Sequence, residues 1–252
     1  TPEMIKRFAA REPGPGCDQL IVLEQSPAGA DLFMRIYNAD GSEVGACGNA
    51  ARCVAWLIMQ ENAQQTCRIE TLSGIIGGSA TSNEWITSID MGRPKFDWQD
   101  IPLAEEFHDT RGIELQVGPI DAPILHTPSV VNVGNPHAIY WVKSFSNYDL
   151  SGLGPLLEHH PLFPERANIS LAIVHSDTHI ELKVWERGVG LTKACGSAAC
   201  AAAVCASRNK LTEREVKVTL PGGDLWITWR EDDHIIMTGA VALDGIIELA
   251  TS

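Results

Sequence analysis

Two short segments of this 252-residue chain carry the same reactive group in the same setting. Cys47 lies in Ala46-Cys47-Gly48-Asn49-Ala50-Ala51 and Cys195 in Ala194-Cys195-Gly196-Ser197-Ala198-Ala199, 195 − 47 = 148 residues further on. An Ala-rich stretch follows each motif, residues 50–60 and 198–208. Alanine is the best helix former, so a helix is predicted to begin beside each cysteine. There, unpaired N–H groups and the helix dipole stabilise a thiolate. The same N–H groups, at Gly48-Asn49 and Gly196-Ser197, suit a carboxylate, and the glycines allow the backbone close to a ligand. An isolated Ala-Cys-Gly would read as a small buried residue. Duplication, helix-start placement and flanking glycines favour chemistry instead. Two such units facing one another would hold a carboxylate between two sulfurs. One thiolate could then take an α-proton while the other thiol returns one to the opposite face.

These cysteines need elements that bring them together, and an internal repeat supplies them. Besides the cysteine motifs, Ile75-Ile76-Gly77-Gly78-Ser79 aligns with Leu220-Pro221-Gly222-Gly223-Asp224, and Ile89-Asp90-Met91-Gly92 with Ile236-Met237-Thr238-Gly239. Alternating segments at residues 31–37 and 179–185 predict a strand before each motif. Further strands are expected at 68–71, 85–90, 129–133, 138–142, 169–174, 216–220, 225–229 and 235–238. Asn49 and Ser197 are the expected helix N-caps. Cys53 and Cys200, within the helices, are expected in the core. The predicted fold is α/β, of the α+β kind: two pseudo-symmetric domains, each a mostly antiparallel sheet around a central helix. Residues 1–110 form the first, with Cys47, and 111–252 the second, with Cys195. The Pro- and acid-rich stretch 95–112 connects them, and the last residues are expected to pack back on the first domain. Asn38 and Glu186 each stand nine positions before a cysteine (47 − 38 = 9; 195 − 186 = 9), so both should face one cleft. Asn168 falls opposite Gln19 with a one-residue slip, which adds Gln19 as a substrate neighbour.

The net charge of −13 argues against a general nucleic-acid or anionic-membrane binder. No apolar run reaches the roughly 20 residues that span a bilayer, and no apolar signal segment is visible. Seven cysteines, an odd number, with no secretory signal make a disulfide framework unexpected and fit a reducing cytoplasm. The spacings of Cys47 and Cys53, and of Cys195, Cys200 and Cys205, do not match the usual zinc ligand pairs. No nucleotide, flavin or pyridoxal phosphate motif is present, so no metal and no cofactor are expected. The expected partner is a small-molecule substrate; a homodimer is left open.

The motifs taken together resemble the diaminopimelate epimerase family over nearly the whole chain. They are residues 38–43 (Asn-Ala-Asp-Gly-Ser-Glu), 46–53 around Cys47, Gly134-Asn135-Pro136-His137, Glu186-Arg187-Gly188, and 194–197 around Cys195. In the sister proline racemases and hydroxyproline epimerases a Cys-Gly-His first motif is expected, and Asn49 argues against them. The resemblance implies a cofactor-independent isomerase interconverting LL- and meso-diaminopimelate, in lysine and peptidoglycan precursor biosynthesis. Cys47 and Cys195 would be the acid/base pair. Gly48, Asn49, Gly196 and Ser197 would hold the reacting carboxylate and Glu186 the reacting amine. Asn38, Asn135, Asn168 and Arg187 would recognise the distal, unreactive end. Arg187 has independent support, because a planar guanidinium suits a carboxylate.

Ala50 and Ala198 replace glycines common in the family's motifs, a change tolerated inside a helix. The first-half counterpart of Asn135 would fall before Thr1, where the family carries a Gly-Asn-Asp-Phe motif on its first strand. The first half is therefore expected to lack about one strand-turn unit, on the order of 25 residues, to show an open sheet edge and to bind substrate poorly as it stands. The competing readings are a racemase of another amino acid, a non-catalytic binding protein of the same fold, and a redox or metal protein. Retention of both cysteines opposes the second, and metal analysis separates the third.

Overall fold

A computed structural model describes residues 2–12, 16–45 and 47–248. Thr1, residues 13–15, Ala46 of the first cysteine motif and the last four residues lie outside these. The expected packing of the chain's end therefore lies partly outside the described residues.

The first half runs α1 (Pro2–Ala9), β1 (Gln19–Glu24), β2 (Leu32–Asn38), β3 (Glu43–Val44), α2 (Gly48–Asn62), β4 (Thr66–Thr71), β5 (Gly74–Ala80) and β6 (Ile86–Asp90). After the short pair β7 (Gln116–Val117) and β8 (Leu125–His126) come β9 (Ser129–Asn132), β10 (Pro136–Trp141) and α3 (Leu150–Glu158). The second half continues with β11 (Asn168–Ser176), β12 (His179–Glu186), β13 (Gly190–Thr192), α4 (Gly196–Arg208), β14 (Glu215–Leu220), β15 (Gly223–Trp229) and β16 (Ile235–Ala240). The strands join in the order β1-β2-β4-β5-β6-β16-β15-β14-β12-β11-β10-β9. Among the described residues, only β2–β4, β12–β14 and β10–β11 pair in parallel. This is the expected fold: two similar halves, each a mostly antiparallel sheet wrapped on one helix, α2 or α4.

The register locates the pseudo-twofold relation between the halves. In the β6–β16 ladder, Ile89 pairs with Met237, and the flanking pairs are Ser88–Thr238 and Asp90–Ile236. A shift of 148 (237 − 89) exchanges these flanking pairs, so the axis passes between Ile89 and Met237. Ser88 and Thr238 share a hydroxyl hydrogen bond of 2.7 Å across it. The ladder corrects two of the sequence anchors. Ile89 corresponds to Met237 rather than Ile236. Gly77 does not correspond to Gly222: the β4–β5 turn closes at the pair Thr71–Gly74 and the β14–β15 turn at Leu220–Gly223. Gly74 and Gly223, at φ 119° and 131°, are therefore the equivalent residues, in backbone that side chains rarely adopt. The misalignment arose because β5 has extra glycines inside the strand. A Cβ at Gly78 would lie 2.6 Å from Cβ of Ala55 on α2 and 2.7 Å from Sγ of Cys67, so the helix presses on the strand where a side chain would stand.

The two central helices are covered unequally. α4 is buried from Ala198 to Ala206, because β12, β14 and β15 enclose it with β9 and β10. Ile180, Leu182, Val184, Val216 and Val218 form its surroundings. On the other face of β10 and β11 a second core joins Tyr140, Ile169 and Leu171 to α3 and to Ile101, Leu103 and Ile113 of the connecting stretch. In the first half, α2 buries Ala51, Val54, Ala55, Ile58 and Met59 on one side only. The counterpart of β11 is β1, and there the strand path ends. No described strand takes the place that β10 and β9 hold beside α4. This is why Cys53 is exposed, contrary to its expected place in the core, whereas Cys200 is fully buried as expected.

Candidate active site

Both helices begin one residue after their cysteine. Cys47 (φ −151°, ψ 112°) and Cys195 (φ −139°, ψ 108°) are themselves the N-caps, in extended backbone. Asn49 and Ser197 stand at the second helical position, which corrects their assignment as caps. The Ala-rich stretches form the expected helices, but Gly48 and Gly196 already have helical backbone, which moves each cap back to the cysteine. Neither cysteine makes a side-chain cap bond; the N–H groups of Asn49 and Ala50 face the Cys47 sulfur, and that of Ala198 faces the Cys195 sulfur. The two helix starts meet on one side chain. A Cβ at Gly48 would lie 2.8 Å from Cε of Met237, and one at Gly196 2.7 Å from its Sδ and 3.7 Å from Oδ1 of Asn49. Met237 stands beside the pseudo-dyad, and its flexible thioether end fills the space that both glycines leave.

Glu186 connects the two thiols. At the end of β12 and half-buried, it accepts a 2.5 Å hydrogen bond from Thr192 Oγ1, and its charge acts on both Cys47 and Cys195. Burial is the main cause that pushes the Cys47 thiol up. The N–H groups of Ala50 and Asn49 oppose it, Glu186 adds to it, and Arg52 opposes it. Cys195 is pushed up to about 12, by burial first and then by Glu186; Ser197 and the N–H of Ala198 oppose this. The Cys195 sulfur lies 3.5 Å from Ser197 Oγ.

The strand-end residues form the pairs that the repeat implied. Gln19 is opposite Asn38 in the β1–β2 ladder and donates to its Oδ1 at 3.1 Å. Asn168 and Glu186 occupy the matching ends of β11 and β12. Asn168 is 2 % exposed and its amide is held at both ends: Oδ1 accepts from the Arg187 N–H at 3.0 Å, and Nδ2 donates to the Pro136 carbonyl at 3.0 Å. The Arg187 guanidinium donates to the Glu165 carbonyl at 2.9 Å. Asn135 Oδ1 lies 2.8 Å from His137 Nε2.

A cavity of about 1100 Å³ opens over the first half of this arrangement. Gln19, Asn38, Cys47, Asn49, Glu186 and Thr192 line it, and it continues as an apolar trough past Ile21, Val54 and Leu57. Cys195, Gly196, Ser197, Asn135, Asn168 and Arg187 are not on its wall. They form a second cluster behind Glu186.

Two residues of this cluster and its surroundings were not singled out as site residues from the sequence. His137 is fully buried, and Ser197 Oγ lies 3.2 Å from its Nε2, linking it to Cys195. Burial, with the Arg187 charge, holds His137 down at about 3, so the ring is neutral. It sat inside the motif Gly134-Asn135-Pro136-His137, where its 60-residue reach to Ser197 could not be seen. Arg52, on α2, is 8 % exposed, and its Nε and Nη1 have no hydrogen-bond partner among the described residues. Its charge acts on Cys47, Cys53 and Cys200. Gly239 makes room for it: a Cβ there would lie 3.1 Å from the guanidinium carbon.

Comparison with known proteins bears on the family and the fold. The family described as Diaminopimelate epimerase matches residues 1–96 and 129–243. Among similar sequences, the diaminopimelate epimerase of Afipia carboxidovorans is 58% identical over 240 residues, covering 94% of this chain and 83% of that protein. That of Brucella anthropi is 56% identical over 242 residues, covering 95% and 80%. Among solved structures, a probable proline racemase from Agrobacterium radiobacter, with bound carbonate, superposes with a TM-score of 0.67 at 15% identity, covering 99% of this chain and 81% of that one. A hydroxyproline epimerase from Agrobacterium vitis gives 0.64 at 12%, covering 94% and 76%. At such identities these two structures speak for the fold alone. The family match and the sequence relatives go further: the chain belongs to the diaminopimelate epimerase family.

Proposed function

We propose that the chain interconverts LL- and meso-diaminopimelate by a two-thiol mechanism without a cofactor, a step in lysine and peptidoglycan precursor synthesis. The observation that carries the mechanism is the meeting of two cysteine-capped helix starts at Met237, with Glu186 acting on both thiols. Each repeat, residues 1–110 and 111–252, supplies one thiol. The N–H groups at Gly48-Asn49 and Gly196-Ser197 bind the reacting carboxylate and stabilise the negative charge that develops on it. The α-carbon then lies between the sulfurs. A thiolate on one face takes the α-proton and becomes a thiol; the thiol on the other face gives its proton to the carbanion and becomes a thiolate. The centre is inverted and the two cysteines have exchanged protonation states, ready for the reverse direction.

Glu186 binds the reacting ammonium. Without substrate its charge opposes ionisation of both thiols; an ammonium beside it cancels that charge, so the thiolate forms more readily when substrate is present. Arg187, Asn38, Asn135, Asn168 and Gln19 recognise the distal amino-acid end. The cavity leads from Cys47 past Gln19 and Asn38, which fits a substrate longer than one amino acid.

Incubating the protein with LL-diaminopimelate in D2O tests the substrate assignment. Deuterium should enter the α-position as the meso isomer appears. Proline, hydroxyproline and glutamate should exchange at least 100-fold more slowly, because they leave polar groups at the distal subsite unpaired. Equal exchange with proline would move the activity to another amino acid; no exchange with any substrate would leave a binding protein.

A further inference from the structure

The Glu186–Arg187 pair sits at a strand end, where backbone is ordinarily loose, yet both neighbours of the pair are tied to one buried carboxylate. Glu158, the last residue of α3, is 3 % exposed. Its Oε2 accepts from the Trp185 Nε1–H at 2.7 Å, and its Oε1 accepts from the Gly188 N–H at 2.9 Å. Arg166 adds a longer ion pair at 3.7 Å. Trp185 immediately precedes the pair and Gly188 immediately follows it. The indole is also fixed by shape. Gly154, one turn before Glu158 on α3, presents bare backbone to it: a Cβ there would lie 2.5 Å from Cγ and Cδ2 of Trp185. Gly188, at φ 74°, makes the turn that returns its N–H to Glu158. Within the bracket, the Arg187 N–H is held by Asn168.

A buried carboxylate is costly unless its lone pairs are satisfied. Here two N–H donors from the two ends of one turn satisfy it, with Arg166 as a more distant cation. A neutral amide of the same shape could not replace it, because both oxygens face donors. We propose that Glu158 is a positioning residue for the reaction: through Trp185 and Gly188 it fixes where Glu186 stands relative to the two thiols and where Arg187 points. This rests on the reading that Glu186 and Arg187 face substrate. It gives α3, which contributes no residue to the cavity wall, a part in catalysis.

The test is Glu158→Gln, with Trp185→Phe as a second variant that keeps an aromatic ring on Gly154 but removes its N–H. For Glu158→Gln in folded protein, kcat/KM should fall about 10- to 100-fold, the scale expected for misplacing groups by about 1 Å. KM for diaminopimelate should rise as kcat falls, and the acid limb of the pH–rate profile should move, because Glu186 shifts relative to Cys47 and Cys195. Trp185→Phe should change the same quantities in the same direction by less. A merely structural brace would lower the melting temperature and leave kcat, KM and the pH profile of the folded protein unchanged. That result in either variant would overturn the proposal, and if Glu158→Gln does not fold, Trp185→Phe alone decides. Wild-type protein measured alongside separates the two readings. Absent exchange by the wild type removes the diaminopimelate assignment and this role with it; an active wild type with unaltered variants removes this role only.

Discussion

The chemistry proposed for Cys47 and Cys195 requires thiolates in surroundings that oppose them, and Glu186 is the largest charge acting against both. Glu186→Gln therefore has opposing effects. It removes the ammonium partner, so kcat/KM with diaminopimelate should fall by about 10²-fold or more. It also removes a charge that raises both thiols, so the acid limb of the kcat/KM profile should move to lower pH. A limb that stays in place would show that Glu186 does not face the reacting thiols. Arg52 acts with the opposite sign on Cys47. Arg52→Met should raise the pH at which Cys47 is alkylated by iodoacetamide, measured in a Cys195→Ala background; Arg52→Lys should keep it. His137 makes a prediction about stability. Its folded-state pKa, about 3, lies below the unfolded value near 6.5. The folded protein therefore loses stability as pH falls from about 6.5 toward 3, by up to about 1.4 kcal/mol per pH unit from this residue. Denaturant midpoints measured across that window should fall less steeply in His137→Gln than in the wild type.

At the scale of elements, the helix starts depend on glycines where two backbones approach. Gly78→Val would drive a side chain into Ala55 and Cys67 beneath α2. It should cost at least about 1–3 kcal/mol by overpacking, read from urea unfolding, whereas Gly92→Ala meets no neighbour and is strained only by its backbone. These elements were legible in unequal measure. β12 and β14 were visible because alternate residues face the core around α4, and both cysteine helices because they are Ala-rich and apolar. β5 was not, because Gly74, Gly77 and Gly78 resemble a turn unless α2 is known to lie against them. β1 was missed because Leu20-Ile21-Val22-Leu23 is short and no residue of the strand is fully buried. α3 was missed because Gly152, Gly154 and Pro155 conceal a short helix that tertiary packing holds.

Across the whole molecule, the readings that survived are those the duplication made redundant. The shift of 148 tied Asn38 to Glu186 and, with a one-residue slip, Gln19 to Asn168 (168 − 19 = 149); the ladders pair Gln19 with Asn38 and begin at Ile169–Trp185, beside Asn168 and Glu186. The residues it could not show are those with partners in one half only. His137 reaches Ser197 from β10, Glu158 reaches Trp185 from α3, and Arg52 stands where the second half has Cys200. The exposure of Cys53 belongs here too, since it depends on where the strand path stops. The central claim is that two thiols, one from each half, serve opposite faces of one α-carbon. The most direct measurement is α-proton exchange of LL-diaminopimelate in D2O by folded Cys47→Ala and Cys195→Ala proteins, with product stereochemistry followed at the same time. Inversion needs an acid and a base together, so neither variant should form meso-diaminopimelate above about 10⁻³ of the wild-type rate. Near-normal inversion by either one would contradict the two-thiol mechanism.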